Sequence, residues 1–164
     1  ADTSSGFSFG IINVIRNGYN KIALSSDETL NANIAIKTGS SNFYTVYTGG
    51  ARFNENSRIY GFGMSLGTLL VLGKHLSFNP ELGSRYLYQG TWRYTNLLNR
   101  LDANLELKLG KKVSLFAGPA LNWYYTGQQA AVKGYGLAQN LQHNFSSGQH
   151  HAWWIGWSAG FNFF

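Results

Sequence analysis

Cysteine is absent from the 164 residues, so a disulfide framework and a thiolate zinc site are both excluded. Proline occurs only at Pro80 and Pro119, and charged residues make up 12% of the chain, about half the usual share. Long apolar runs are also missing, since no window approaches the roughly 18 consecutive apolar residues of a membrane-spanning helix. The chain therefore lacks the signatures of a disulfide-rich domain and of a helical membrane protein.

Aromatic residues and glycine are abundant instead. Aromatics reach 16% of the chain, and there are 20 glycines. Few stretches show helical spacing of apolar residues, whereas many alternate apolar and polar residues as a strand does. We expect a single all-β domain over 1–164, with a long surface loop at about 127–149. The first five residues are small and polar, of the kind left after secretory cleavage, and predict an exported protein.

The segment 97–126 shows the alternation best. Between 100 and 108, leucine or alanine at every odd position alternates with a polar or charged residue. Because successive side chains of a strand point to opposite faces, one face of this strand is apolar and the other is charged. The turn residues at 110–112 lead into a second alternating strand. The segment is a predicted β-hairpin with long arms.

The same pattern along the chain predicts about eight strands. They cover 6–16, 29–37, 42–53, 58–72, 76–88, 97–109, 113–126 and 150–164. Three turns are short, at 38–41, 73–75 and 110–112, and three connections are longer, at 17–28, 89–96 and 127–149. The connection at 54–57 is the exception, because it is short although it lies at the end with the long connections. Short and long connections alternate, so antiparallel neighbours form an up-and-down sheet. One end of this sheet has short turns and the other has long loops.

The apolar face of such a sheet can point either way. A soluble barrel of the lipocalin kind keeps it inside around a ligand, whereas a transmembrane barrel turns it toward lipid. Bulky aromatics occupy the apolar positions, and the opposite face is rich in glycine, serine and asparagine, which suits a narrow polar interior. Aromatics also gather near strand ends, as in membrane-interface girdles. The predicted girdle residues are Trp123, Tyr125, Trp153, Trp157, Phe161 and Phe163, with Tyr124 and Trp154 beside them. We predict a transmembrane antiparallel up-and-down β-barrel of about eight strands, with a soluble ligand-binding barrel as the alternative.

Three stretches carry a resemblance to a known family. The ending F-N-F-F resembles the C-terminal aromatic signal of bacterial outer-membrane β-barrel proteins. G-F-S-F-G-I-I-N-V-I-R-N-G-Y and K-L-G-K-K-V-S-L-F-A-G-P-A-L-N-W-Y-Y are similar to uncharacterised outer-membrane barrels of the Bacteroidota type. The resemblance implies the barrel fold and a Gram-negative outer-membrane location, and it implies no activity. The ending departs from the family because the alternation stops at Phe163 and not at Phe164, which predicts a bulge or an extra residue in the last strand.

Charged residues on the polar face would share the interior of this barrel. They are Glu81, Arg85, Arg100, Asp102, Glu106 and Lys108. These residues are candidates for a conducting path or a proton relay. The alternative is a paired charge network that fills a barrel too narrow to conduct, because buried charges need partners. We favour the paired network.

Histidine and serine occur together in and beside the predicted loop 127–149. The residues are His143, His150, His151, Ser146 and Ser147. They suggest a metal site or a serine hydrolase, and some small outer-membrane barrels modify lipid A. The loop has no Asp or Glu to orient a histidine, and the H-Y-S-N-like run of lipid A deacylase barrels is absent. Adjacent histidines also point to opposite faces of a strand, which disfavours a shared metal. We predict no enzyme, no metal and no cofactor, with a lipid-A-modifying enzyme as an alternative.

The net charge of +6 comes from basic residues that are scattered along the chain, which disfavours a nucleic-acid partner. Four basic residues fall at the end with the long loops, where they would bind lipopolysaccharide phosphates or anchor the barrel at the interface. They are Arg52, Arg58, Arg93 and Lys133. We predict a structural anchor, or an accessory subunit of a larger outer-membrane complex, in contact with outer-membrane lipid and lipopolysaccharide. A narrow channel is a further alternative.

Overall fold

The computed structural model describes residues 19–40, 42–54, 57–88, 90, 96–127, 142–144 and 150–164. Their strands are β1 (Tyr19–Asp27), β2 (Ala32–Gly39), β3 (Tyr44–Asn54), β4 (Ser57–Gly67), β5 (Leu70–Val71), β6 (Leu76–Tyr88), β7 (Asn96–Lys108), β8 (Val113–Thr126), β9 (Gln142–Asn144) and β10 (His150–Phe163). Within these ranges there is no helix of the length and hydropathy needed to cross a membrane.

Eight of these strands form a closed antiparallel barrel. Their order is β1–β2–β3–β4–β6–β7–β8–β10, and β10 pairs back onto β1 from Ile22↔Phe163 to Asp27↔Ser158. The two short strands extend this barrel, since β5 adds to β6 and β9 adds to β10. Sequence neighbours are neighbours in the barrel, as in an up-and-down topology. We call the end with the connections after β2, β5 and β7 the turn end, and the opposite end the loop end.

The polar face of the barrel points inward and the apolar face points outward. In β7, Arg100 is 3% exposed and Glu106 is 0% exposed, whereas Leu101 and Leu105 are 43% and 50% exposed. The same alternation holds around the barrel. Outward-facing apolar residues that remain exposed include Ile22, Leu24, Ile34, Ile36, Tyr47, Phe62, Met64, Leu66, Leu82, Leu121, Ile155 and Phe161. The prediction of a barrel of about eight strands is confirmed, with a polar interior rather than the apolar interior of the soluble alternative.

The prediction of a loop at 17–28 is wrong for residues 19–27, because Tyr19–Asp27 is strand β1. Its outward residues Ile22 and Leu24 alternate with inward Lys21 and Ala23. The inward side chains of a polar-cored barrel are themselves polar, so such a strand loses the hydrophobic signal that normally identifies it. The predicted strand at 6–16 lies outside the described residues.

The predicted strand at 58–72 is interrupted, since β4 ends at Gly67 and β5 begins at Leu70. Opposite the break, Thr68 N donates to Pro80 O at 3.2 Å. Proline has no N–H with which to return that hydrogen bond, so the ladder between β4 and β6 stops there. Pro80 therefore marks the position where β4 ends and the short strand β5 takes over the pairing with β6.

The last strand contains no bulge, so of the two expectations for its end, a bulge or an extra residue, the bulge is wrong. The pairing of β10 with β8 is continuous from His150↔Thr126 to Phe163↔Val113. Phe164 lies just beyond β10, and its N–H donates to Lys112 O at 3.0 Å. The predicted loop 127–149 also contains a strand, β9, which pairs with the start of β10.

Two apolar clusters lie inside the barrel. One, which we call the loop-end plug, comprises Leu30, Ile59, Leu87, Leu98, Tyr124, Ala152 and Trp154. The other comprises Ala23, Ala35, Tyr44, Val46 and Phe116. Glycines on β4 make room for both, because a Cβ at Gly61 would overlap Leu30 and one at Gly67 would overlap the Tyr44 ring. The charged groups described next fill much of the remaining interior.

Candidate functional site

The inward-facing charges near the turn end form a lower network. Lys21 Nζ lies 2.5 Å from Glu106 Oε1, and both side chains are at most 1% exposed. Asn79 Nδ2 and Ser114 Oγ also donate to the Glu106 carboxylate. The ammonium of Lys21 lies 4.2 Å from the centre of the Phe164 ring, a favourable cation–π geometry. One buried carboxylate thus joins four strands, β1, β6, β7 and β8.

A second pair in the lower network joins β2 to β6. Lys37 Nζ lies 2.5 Å from Glu81 Oε1, and Tyr44 Oη donates to the same oxygen at 2.9 Å. The Lys37 ammonium also lies 5.1 Å from the centre of the Phe116 ring. The Tyr44 ring lies 5.6 Å from the same ammonium, so the buried lysine is compensated by one carboxylate and two aromatic rings.

The charges nearer the loop end form an upper network, in which Asp27 has two roles. Its Oδ2 lies 2.6 Å from Arg85 Nη1. Its Oδ1 accepts the backbone N–H groups of Thr29 and Leu30 at 2.8 and 2.7 Å. Asp27 therefore caps the turn that leaves β1 and directs Leu30 into the loop-end plug.

Arg100 is the centre of the upper network. Its Nε lies 2.9 Å from Asp102 Oδ1, and its Nη1 lies 2.9 Å from Glu28 Oε1 and 3.0 Å from Asn122 Oδ1. Its Nη2 donates to the backbone carbonyl of Trp157 at 2.7 Å. The planar guanidinium fork suits several acceptors around one buried cation. Arg100 thereby connects β7, β8 and β10 to the residue that follows β1.

Glu28 occupies the position where β1 no longer pairs with β10. The β1 ladder ends at Asp27↔Ser158, and beyond it Trp157 N donates to Glu28 Oε2 at 2.8 Å. Asn122 Nδ2 and Trp154 Nε1 donate to Glu28 Oε1 at 2.7 and 3.3 Å. A side-chain carboxylate thus takes the hydrogen bond that a neighbouring strand would otherwise accept.

The interior leaves little free space between the two networks. In the described part of the chain it contains five carboxylates and four cationic side chains, joined by the ion pairs above. A cavity of about 30 Å³ lies between them, bordered by Lys37, Glu81, Arg85 and Asp102. Such a volume suits one or two ordered waters and no larger solute. The arrangement cross-links the strands of the described barrel around this small cavity.

Comparison with protein-family models, with curated proteins and with solved structures finds no match for this chain. A function therefore has to rest on the residues and geometry of the chain itself.

The predicted interior charges are largely where the sequence placed them. Glu81, Arg85, Arg100, Asp102 and Glu106 point inward and are paired. Lys108 is the exception, because it ends β7 and is exposed at the turn end. Alternation assigns a residue to a face, and it does not tell how near the residue lies to the end of the barrel.

The partners of those charges were the residues that sequence analysis missed. They are Lys21, Asp27 and Glu28, which fall in the stretch predicted as a loop, and Lys37, the last residue of the predicted strand 29–37, to which no role was assigned. The signal was present, since 21, 23, 25 and 27 are all polar or small and alternate with apolar 22 and 24. Continuing that alternation would have extended the interior network by one strand.

The residues of the predicted aromatic girdle lie in three different places in the barrel. Trp123, Tyr125 and Trp153 face outward near the loop end, and Phe161 and Phe163 face outward near the turn end. Trp157 also faces outward, but it pairs with Pro119 at the middle of β10 and so belongs to neither end. Tyr124 and Trp154 are 0% and 3% exposed and point inward, where they form part of the loop-end plug.

The loop-end arginines and histidines are only partly described. Arg58 is exposed and Arg52 is half-buried, whereas Arg93 and Lys133 lie outside the described residues. His151 is half-buried on the outer wall, and Trp123 Nε1 donates to its Nδ1 at 3.3 Å. The side chains of His143 and His150, and both Ser146 and Ser147, are outside the described part. In that part, no three His, Asp or Glu residues are grouped as metal ligands.

Proposed function

We propose that this chain is an integral outer-membrane β-barrel that acts as a structural anchor or as an accessory subunit of a larger outer-membrane complex. The observation that carries the proposal is the inversion of the usual arrangement, with charged residues paired inside and leucines such as Leu101 and Leu105 exposed outside. Exposing so large an apolar surface to water is unfavourable, whereas lipid accepts it. A closed barrel also leaves no sheet edge unpaired in lipid.

The dimensions support a membrane location. A tilted transmembrane strand needs about 9–11 residues. The barrel strands are 8 to 14 residues long, with β2 the shortest and β8 and β10 the longest. The aromatics at both strand ends lie where an interface would place them. Outer-membrane barrels have short periplasmic turns and longer outer loops, so we place the turn end in the periplasm and the loop end outside the cell.

The filled interior directs function to the outer wall and the two ends. A barrel whose centre holds ion pairs, a loop-end plug and a cavity of about 30 Å³ is not built to pass a solute. At the loop end, exposed Arg58 flanks a Phe53–Tyr60 ring contact of 6.4 Å. A guanidinium beside aromatics at this level suits a lipopolysaccharide phosphate, with the rings against acyl chains.

Flotation tests the membrane proposal directly. We expect the full chain to require detergent for purification and to float with liposomes after reconstitution. We also expect it to remain in the membrane pellet after extraction with alkaline carbonate, because its apolar outer wall is embedded in lipid. A protein that is monodisperse without detergent and stays at the bottom of the gradient contradicts the proposal. A peripheral protein would be released by carbonate, which separates the two cases.

One interruption of the apolar wall favours the accessory-subunit form of the proposal. Ser84 Oγ donates to Asn99 Oδ1 at 2.6 Å on the outer wall. Beside this pair is a concave surface bordered by Met64, Leu82 and Trp123. Lipid offers no partner to polar side chains in the apolar band, whereas hydroxyl and amide groups recur at contacts between membrane proteins. The concave surface is a candidate contact with a neighbouring outer-membrane protein.

A cysteine-free chain makes this contact simple to test by cross-linking in cells. Ser84→Cys, followed by a short thiol-reactive or photoactivatable reagent, should give one defined heavier adduct that mass spectrometry identifies as an outer-membrane protein. Ile36→Cys, an outward residue of β2 that is 56% exposed, is the matched control and should give none. Equal adducts from both positions, or none from either, would leave the anchor as the better description.

A further inference from the structure

Charge on the outside of the described barrel has one sign. Each described Asp or Glu lies inside it, and the remaining two acids of the chain, Asp2 and Glu55, are outside the described residues. At the turn end, in contrast, four lysines are exposed. They are Lys74, Lys108, Lys111 and Lys112. We call this set the lysine arc.

The lysine arc comes from neighbouring strands. Lys74 lies between β5 and β6, Lys108 ends β7, and the other two lysines lie between β7 and β8. The backbone holds these parts together, because Lys108 N donates to the carbonyl of His75 at 2.8 Å. Adjacent strands lie about 4.8 Å apart, so the four lysines emerge from one side of the barrel rim. Four like charges on one side of the rim repel one another, and an anionic surface facing them would lower that electrostatic energy.

Apolar residues border the lysine arc on the side of the wall. Leu72 is 60% exposed, Leu109 is 58% exposed, and Phe164 is 51% exposed. Lysines placed at such a border extend their methylene stems along the apolar surface and place their ammonium groups in the polar layer above it. In a membrane barrel that layer contains the lipid headgroups.

We infer that the lysine arc binds the phosphate groups of anionic phospholipids in the leaflet around the turn end. This inference rests on the proposed function, since it requires the barrel to be in a bilayer. A soluble acidic partner would need no apolar border continuous with the wall, so the border favours lipid. A lysine near an anionic membrane surface contributes about a five-fold preference for that surface. The arc as a whole therefore selects anionic over zwitterionic lipid.

Native mass spectrometry of the full chain tests this selection. The protein is released from neutral detergent in the presence of equimolar phosphatidylglycerol and phosphatidylcholine. We expect adducts with phosphatidylglycerol to predominate at least ten-fold. A variant with Lys→Gln at positions 74, 108, 111 and 112 should lose that preference. Lys→Arg at the same four positions should keep it, which shows that charge is responsible.

The outcomes separate this inference from the proposal on which it rests. Flotation of wild type and of the Lys→Gln variant reports on membrane insertion independently of lipid choice. If both insert and the preference for phosphatidylglycerol is unchanged in the variant, the lysine arc is not the site and the membrane proposal stands. The Kd of soluble polyglutamate is measured with wild type in phosphatidylcholine nanodiscs. If this Kd is lower than the Kd of phosphatidylglycerol, the partner is a soluble polyanion and the inference fails. If wild type does not insert at all, the proposed function fails first.

Discussion

Gly156 leaves the space that the carboxylate of Glu28 occupies. A Cβ atom at position 156 would overlap Glu28 Oε1 and approach Asn122 Nδ2. The carboxylate therefore lies directly on the β10 backbone, where it accepts the N–H of Trp157 at 2.8 Å. A glycine 128 positions away in the chain thus lets a single carboxylate continue the β1–β10 seam after β1 has ended.

Gly156→Ala should weaken the barrel by displacing Glu28. The added methyl group forces the carboxylate away from Arg100 and from the Trp157 N–H, and overpacking of this kind costs about 1–3 kcal/mol. The free energy of unfolding, measured by urea titration in detergent micelles, should fall by that amount. Gly49→Ala is the matched control, because a Cβ there meets nothing within 4 Å. It should change the free energy of unfolding by less than about 0.5 kcal/mol. Equal effects of the two substitutions would contradict this account of the seam.

The β7–β8 hairpin could be predicted from the sequence because its alternation is nearly regular over both arms and its turn is short. Between Arg100 and Lys108 of β7, the side chains on one face are leucines and alanine, and those on the other are charged residues and one asparagine. Either facing is compatible with the pattern itself. Bulky aromatic residues on one face and small residues on the other correctly indicated that the polar face points inward.

β1 was missed because strand prediction relies on apolar residues, and a polar-cored barrel has them on one face only. In β1 the outward face offers Ile22 and Leu24, and the inward face offers Lys21 and Asp27. The contact of Glu28 with Trp157 is also beyond sequence reasoning, since it depends on how β1 and β10 meet when the barrel closes. Local patterns contain no information on that register.

Lys21→Met should destabilise the barrel more strongly than removing both members of its ion pair. With Lys21 gone, the Glu106 carboxylate remains buried without a cation, and breaking a buried pair on one side costs about 3–5 kcal/mol. Lys21→Met combined with Glu106→Met removes both charges and should recover most of this loss. The same urea titration measures wild type, Lys21→Met, Glu106→Met and the double variant. Lys111→Met, at an exposed turn position, is the control and should be neutral. A double variant as unstable as the sum of its single variants would show that the pair is not coupled.

Wild-type protein in a planar bilayer should show no single-channel conductance. Asp27, Arg85, Arg100 and Glu28 cross the interior as ion pairs, and the loop-end plug closes the space above them. An ion would have to separate these pairs or displace apolar side chains, both of which are costly. Current recordings at 100 mV after confirmed insertion are the measurement, with a conducting porin as the positive control. Reproducible conductance steps would contradict a filled interior and support the channel alternative.

Leu101→Arg and Leu109→Arg distinguish an outer wall in lipid from one in water. Both leucines are well exposed, at 43% and 58%, so in water either substitution should change the free energy of unfolding by less than about 0.5 kcal/mol. In a bilayer, Leu101 lies on the middle of β7 and pairs with Leu82 and Leu121, whereas Leu109 lies beyond the end of β7. An arginine on the lipid face costs about 2–4 kcal/mol at the midplane and about 0–1 kcal/mol near the interface. Unfolding from liposomes should therefore show a large loss for Leu101→Arg and a small one for Leu109→Arg. Two small and equal losses would mean that water, not lipid, surrounds the wall.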